Sequence, residues 1–573
     1  MYNKVFHREV EKRHRGQKTG IKSEGHIHNG NEYEFKICSD SKECRLIPGY
    51  FLTGRECKPM NFNTSMTDKT ERLEDHDSLS EQWKTLDWKY IEKEVNRLQT
   101  RIAKATIKSD WNKVKRLQYL LTNSFYAKAN AVKKVTSNRG KRTSGIDKKL
   151  WSTDASKMKA TLSLTNARYR AKPLKRTYID KKGKNKKRPL GIPTMYDRAM
   201  QKLHTLALEP VAEITGDDNS YGFRKGRSAK DACERIFNVL STKVSATWIL
   251  EGDIKGCFDN INHEWMQQNI LMNKKVMKQF LKAGYVHKGK LFPTTNGTPQ
   301  GGPISSLYAN STLDGLETLI QDRYHRNSKG NIEGHYRAKT KVNFIRYCDD
   351  FIVTAATQET AEEVKVLISG FLKERGLELS DEKTLITNIN EGFDFLGWNF
   401  RKYKGKLLIK PDKDSIKSVV SKLSTILLKE GKAMKQSDII RRLNAVLRGW
   451  ANYHKHVVSS QVFSKVNNTL YLLLERWAKH RHPNKSKWWR LNRYWHTFRN
   501  TRWKFMADEN DRLIDIRRIK IERHPKLKLG KNPYIDKEYF EQRKQKVQTP
   551  IVTARNSEEM LEPYEWETLM YGA

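Results

Sequence analysis

Apolar residues recur at three- and four-residue spacing from Trp83 onward. Val95, Leu98 and Ile102 mark one stripe and Val114, Leu117, Leu121 and Phe125 a second, a pattern that predicts amphipathic helices. Residues 1–80 are polar, rich in Gly, Asn, Ser and charge, and without a sustained period, so they are expected to be poorly structured. Between 168 and 198 two β-prone runs flank the basic, glycine-containing loop KKGKNKK, a hairpin suited to phosphate. Residues 199–213 read as helix, and 248–254 and 342–354 as buried strands. Beyond 411 the helical period returns in three stripes. Ile416, Val419, Val420, Leu423 and Leu427 form the first. Ile439, Ile440, Leu443, Val446, Leu447 and Trp450 form the second, after an expected Ser437 N-cap. Val462, Phe463, Val466, Leu470, Leu473 and Trp477 form the third. A strand-rich core followed by a three-helix unit is expected.

Within KVNFIRYCDDFIVT (341–354) two strand-forming runs meet at a Tyr-Cys-Asp-Asp turn. Aspartate favours turns on its own account, so the acidic pair Asp349 and Asp350 is by itself as compatible with a solvated loop as with a site. Asp253, in ILEGDIKGCFDNI at the end of an apolar strand, supplies a third carboxylate. If the two elements are neighbours in one sheet, the three converge and can hold two divalent cations. Mg²⁺ is the expected ion, with Mn²⁺ as a substitute, because it prefers carboxylate oxygen and bridges phosphates. Such a centre lowers the pKa of an attacking 3′ hydroxyl and stabilises departing pyrophosphate, which is nucleotidyl transfer. Between the acidic elements lies TNGTPQGGPISSLYAN (295–310), whose Gly297, Gly301 and Gly302 allow close backbone approach and whose Gln300 can reach a base or sugar.

Charge sharpens the picture. Lys and Arg number 110 against 65 Asp and Glu, a net +45 over 573 residues, which implies a polyanionic partner held through phosphates. The 14 Trp and 23 Tyr supply flat surfaces for stacking on bases. No apolar run approaches the roughly 18 residues that span a bilayer, so a membrane role is not expected. Six sparse cysteines without a Cys-x-x-Cys pair fit a reducing compartment. His26, His28, Cys38, Cys44 and Cys57 match no common zinc module.

In order, RPLGIPT (188–194), SYGFRKGRS (220–228), GDIKGCFDNI (252–261), GTPQGGPISSLYAN (297–310), RYCDDF (346–351), LELSDEKT (377–384) and GFDFLGW (392–398) resemble the motifs of reverse transcriptases, specifically those encoded by group II introns. RGWANYHK (448–455) and RWAKHRHPNKSKWW (476–489) resemble the maturase, or thumb, domain of those proteins. KIERHPKLKLGKNPYIDKEYFEQRK (520–544) is similar to the DNA-binding segment that follows it. The resemblance covers roughly residues 81–545. It implies an α+β multidomain chain with a right-hand polymerase fold. The expected parts are an N-terminal extension (1–80), helical residues leading into the fingers (81–167), fingers and palm (168–411), a helical thumb (412–500), a DNA-binding segment (501–548) and a tail (549–573).

The resemblance also implies roles. Asp253 and Asp349 would be the principal metal ligands, with Asp350 completing the acidic cluster. Phe258, five residues after Asp253, matches the steric gate against a 2′ hydroxyl. Lys181 and Arg188 match residues that grip the triphosphate, Gln300 the residue beneath the incoming nucleotide, and Lys383 the general acid for pyrophosphate. Cys348 stands where the family usually has Ala, and RTYIDK (176–181) lacks the Pro often found before the lysine. Because the last cysteine is Cys348, the cysteine-paired HNH nuclease of many relatives, and second-strand cleavage with it, are not expected. The implied partners are intron RNA, a DNA target with its primer, and dNTPs. The implied setting is the bacterial cytoplasm at the nucleoid, or an organellar matrix or stroma. A splicing-only maturase and a domesticated reverse transcriptase in defence or repair remain open at this level.

Overall fold

A computed structural model describes residues 69–180, 187–326, 330, 339–498 and 501–547. Lys181 and the residues considered for zinc, His26, His28, Cys38, Cys44 and Cys57, lie outside the described residues. Helix begins earlier than expected. Helix α1 (Lys69–Lys84) starts inside the polar N-terminal span, a start hidden in the sequence because KTERLEDHDSLSEQWK carries no apolar stripe; of its described side chains Leu79 and Trp83 join the core.

Helix α2 (Trp88–Ile107) opens on Asp87, whose carboxylate accepts from the backbone N–H groups of Lys89 and Tyr90. Helices α3 (Trp111–Asn123) and α4 (Phe125–Ser137) meet at Ser124, so Phe125 opens the next helix instead of ending the stripe of the previous one. After α5 (Asp154–Ser163) comes α6 (Met195–Thr215), buried along most of its length. Pro210 has no N–H for the carbonyl of Leu206 one turn back. The Gln99 side chain on α2 donates to that carbonyl at 2.8 Å, and Gln118 on α3 donates to Ala207 O at 3.2 Å. The interior proline thus docks α2 onto α6 through a carbonyl that would otherwise be unpaired.

Strands β1 (Leu174–Asp180) and β2 (Lys187–Ile192) form the expected antiparallel hairpin, with Ile179 opposite Arg188. Strand β3 (Trp248–Gly252) ends just before Asp253. Strands β4 (Tyr285–His287) and β5 (Lys290–Phe292) extend the first hairpin into a sheet of order β2-β1-β4-β5. The central sheet has order β6-β7-β3-β8, all antiparallel, from β6 (Asn343–Tyr347), β7 (Asp350–Ala355) and β8 (Leu385–Asn388). Its side chains alternate between two cores. Leu250, Phe344, Phe351 and Val353 join the core that contains α2–α6. Ile249, Ile345 and Ile352 join a second core with α7 (Ala229–Leu240) and the sheet of β9 (Phe393–Phe395), β10 (Trp398–Tyr403) and β11 (Lys406–Pro411). Covered on both faces, these strands carry consecutive apolar residues such as Ile249–Leu250, Phe344–Ile345 and Phe351–Val353. Two short helices frame them, α8 (Cys257–Asn260) after β3 and α9 (Ser305–Leu313).

A separate core follows, built on α10 (Lys413–Thr425), α11 (Gln436–His454) and α12 (Ser460–Arg481). Ser437 lies inside α11, not at its cap; Lys435 is the N-cap, and Gln436 Nε2 donates to the carbonyls of Tyr494 and Met506, which fixes the start. The unit exceeds three helices. Helix α13 (Lys487–Tyr494) and the hairpin β12–β13 (Trp495–Phe498, Thr501–Phe505) add Trp495 and Phe505 to the same core, with Leu513 and Ile516 beyond them. The boundary expected at 500/501 therefore cuts a hairpin, because this aromatic-rich stretch shows neither period cleanly.

Residues 520–547, ending in α14 (Lys537–Val547), fold back on α2, α6 and α7. Tyr534 Oη donates to Glu209 at 2.8 Å, and its carbonyl accepts from Thr100 Oγ1 at 2.9 Å. Buried Asp231 on α7 accepts from His524 Nε2 at 2.9 Å and pairs with Arg543.

Candidate active site

The β6–β7 hairpin turns through Cys348 and Asp349, with Tyr347 and Asp350 as its last paired residues. Cys348 sits at φ +59°, the left-handed region that costs a residue with a Cβ roughly 1–3 kcal/mol unless its surroundings hold it there. They do. Arg346, fully buried, donates Nη1 to the Cys348 carbonyl at 3.3 Å and to Asn310 Oδ1 at 3.2 Å, and its Nη2 meets Asp314 Oδ1 at 2.5 Å. Asn310 on α9 in turn donates to Gly222 O at 2.8 Å. The 219–222 segment runs beside β6, bridged to it at Ser220: Arg346 N–H donates to Asn219 O and Tyr221 N–H to Arg346 O, each at 2.9 Å. Gly222 presses so closely on the turn that an added Cβ would stand 2.5 Å from Cys348 N.

Antiparallel pairing of β3 with β7 sets Gly252 opposite Phe351, so Asp253 emerges beside the acidic turn. The LELSDEKT segment closes over it. Ser380 N–H donates to Asp253 O at 2.8 Å, and Lys383 Nζ lies 2.6 Å from Asp253 Oδ1. Burial, then the Asp253 carboxylate, pushes Asp349 above the usual carboxylate range, while Arg188 on β2 and Lys383 pull the other way. Burial and the neighbouring Asp349 and Asp253 raise Asp350 to about 7. Burial and then Asp349 also hold the adjacent Cys257 thiol up. Three carboxylates gathered in a partly buried site call for positive charge, and the Lys383 ammonium stands against Asp253. The donors are hard oxygens, which suits Mg²⁺. Among the described residues no three His, Cys, Asp or Glu side chains are already drawn into a metal cage.

Phe258 lies on α8, half-buried against the main core. The 297–302 loop is laid on this helix by backbone bonds, Gly297 N–H to Ile261 O and Thr298 N–H to Phe258 O, both 2.7 Å. Gly297, at φ +77°, is required here, since a Cβ would meet the carbonyl oxygens of Phe258 and Asp259 at 2.5 Å. Gln300 gives its backbone carbonyl to Gly191 N–H on β2 at 2.8 Å, while its buried Oε1 has no hydrogen-bond partner. A buried acceptor left without a partner has the chemistry to accept a hydrogen bond from a ligand. The structure thus brings Asp253, Asp349, Asp350, Lys383 and Arg188 into one electrostatic cluster, with Phe258 and Gln300 on linked elements.

Sequence reasoning missed the support beneath the turn: Arg346, Asn310, Asp314, Asp217 and Gly222. Asp217 is pushed up to about 8 by burial and by Asp314. One signal was present, an arginine in the middle of the apolar strand NFIRY, which must find buried partners.

Residues 179–400 match the family described as reverse transcriptase (RNA-dependent DNA polymerase), 83–164 the N-terminal domain of reverse transcriptase, and 416–495 the group II intron maturase-specific domain. The chain is 31% identical over 443 residues to the group II intron-encoded protein LtrA of Lactococcus lactis, covering 62% of this chain and 72% of that one. The chain belongs to the group II intron-encoded protein family. Its domains make it a reverse transcriptase with a right-hand polymerase fold and a role in splicing. It is also 28% identical to protein YkfC of Escherichia coli, over 53% of this chain and 87% of that one. Among solved structures, telomerase from Candida albicans in complex with a telomeric RNA fragment aligns at TM-score 0.30 and 14% identity, over 57% of this chain and 61% of that one. Reverse transcriptases as a family use divalent metal ions, and no described helix is long and apolar enough to cross a membrane.

Proposed function

We propose that this group II intron reverse transcriptase binds its parent intron RNA, assists its splicing, and copies it into cDNA at a DNA target during retrohoming. Asp253 and Asp349 would hold two Mg²⁺ ions, with Asp350 completing the acidic cluster. The ions, when bound, supply charge for the attacking 3′ hydroxyl and the leaving pyrophosphate. The chain's own residues do the placing. Arg188, with Lys181 of the basic loop, grips the triphosphate. Gln300 offers its unpartnered Oε1 beneath the incoming nucleotide. Phe258, held on α8 by the glycine loop, closes the space a 2′ hydroxyl would need. Lys383, held against Asp253, would donate a proton to the leaving pyrophosphate. The basic faces of residues 81–167 and of the thumb bind the intron RNA, through phosphate and shape contacts. The protein works where its transcript is made, in a bacterial nucleoid or an organelle.

The observation that carries this reading is the convergence of Asp253 with the Asp349–Asp350 turn on paired strands. Asp349→Ala is expected to abolish cDNA synthesis on a primed RNA template with Mg²⁺ while intron RNA binding stays within a few-fold. A wild-type chain that makes no cDNA on any primed RNA would sink the reading. The intact carboxylates weigh against a splicing-only maturase, which has no use for them.

A further inference from the structure

The thumb surface carries two tryptophans that its core does not need. Trp488 on α13 is 67% exposed and Trp503 on β13 is 45% exposed, although Leu491, Tyr494 and Phe505 on the same elements are buried. Their ring centroids lie 5.9 Å apart with the planes 52° from each other, so they make an open V with free ring faces. Trp503 adopts φ +60°, a conformation rarely tolerated by a bulky residue, and holds its ring at the surface at a cost in backbone strain. The chain around them is uniformly basic. From 476 to 507 there are ten Lys and Arg and no Asp or Glu.

We propose that Trp488 and Trp503 form a stacking platform for unpaired nucleotides of RNA, with the surrounding Lys and Arg tracking the phosphates. Exposed aromatic faces in a basic field fit bases. A duplex keeps its base faces stacked inside the helix, so the occupant is a looped or single-stranded segment. Trp488 falls within the maturase-specific match at 416–495, and the proposal commits to RNA because it rests on the reading of this domain as an intron RNA binder.

The test measures equilibrium binding of the full-length protein to three probes at one fixed salt concentration: an oligouridine of about ten nucleotides, the oligodeoxythymidine of equal length, and an RNA duplex of equal charge. Both tryptophans are exposed, so Trp488→Ala and Trp503→Ala are expected to leave thermal melting near the wild type. Each should weaken oligouridine binding roughly fivefold to a hundredfold, the range for loss of one base stack. Duplex binding should hold within twofold, and Trp488→Phe should recover most of the loss. If single-stranded and duplex affinities fall together, or neither changes, the platform is wrong while the RNA-binding reading stands. If the wild type binds oligodeoxythymidine more tightly than oligouridine, the commitment to RNA is overturned. If the wild type binds neither RNA probe, the domain reading itself fails.

Discussion

Gly222→Ala should stall polymerisation without unfolding the chain. A Cβ at this position would stand 2.5 Å from Cys348 N and 3.1 Å from Tyr347 C, and would also press on Cys348 Sγ. The first two atoms are backbone, so no rotamer change relieves them. Ordinary contact begins near 3.4 Å, so the acidic turn must retreat by roughly 0.9 Å. Neither partner can yield alone, because Gly222 O is bonded to Asn310 and Tyr221 N–H to Arg346 O. A misplacement of about 1 Å at the reacting centre costs on the order of a hundredfold in rate, or about 2.7 kcal/mol of barrier. The assay is single-turnover incorporation of one dNTP on a primed RNA template at saturating Mg²⁺, with melting temperature and RNA affinity measured on the same preparation. The expected result is a rate down about a hundredfold, RNA affinity within a few-fold, and a modest stability loss of about 1–3 kcal/mol typical of overpacking. The double variant with Cys348→Gly should recover only part of the rate, since the contact with Cys348 N persists. A Gly222→Ala enzyme within fivefold of wild type would refute the argument that this contact sets the position of Asp349.

Phe258→Ala should admit ribonucleotides, read as a fall in the dNTP to rNTP preference; unchanged sugar discrimination would remove the gate assignment. Arg543→Met leaves the fully buried Asp231 carboxylate with His524 and Ser228 as its donors, and should cost roughly 3 kcal/mol in chemical denaturation. A loss below about 1 kcal/mol would show that residues 520–547 are not braced through this pair. Burial lowers His204 to about 4 and His454 to about 3, so the unfolded chain takes up protons that the folded chain refuses as pH drops below 6.5. The contribution of these two histidines is therefore complete above pH 6.5 and falls toward pH 4, by up to about 1.4 kcal/mol per pH unit each, while the raised Asp217 and Asp350 act in the opposite direction over the same window. His454→Gln, which can keep the bond to Ser415, should flatten that fall, and an unchanged slope would rule His454 out as a contributor.

Much of the fold was legible because its elements are periodic. The stripes at 416–427, 439–450 and 462–477 became helices of one core, and the runs around the Tyr-Cys-Asp-Asp turn became paired strands. Elements without a clean period were missed or misplaced: α1, whose faces are polar all round, and the α13 and β12–β13 stretch, whose aromatics serve core and surface together.

By itself the sequence determined the chemistry on offer: three aspartates in two motifs, a glycine loop between them, and a strongly positive chain that demands a polyanion. Residue type and order carry that information, because turn, strand and charge are local properties. What brings Asp253 beside Asp349 is strand pairing across about a hundred residues, and pairing depends on which faces two separate cores bury. The Arg346 support, the close approach of Gly222 and the folding back of residues 520–547 belong to the tertiary structure for the same reason. Each is a contact between distant segments, and a buried charge or an absent Cβ acquires meaning only from what packs against it.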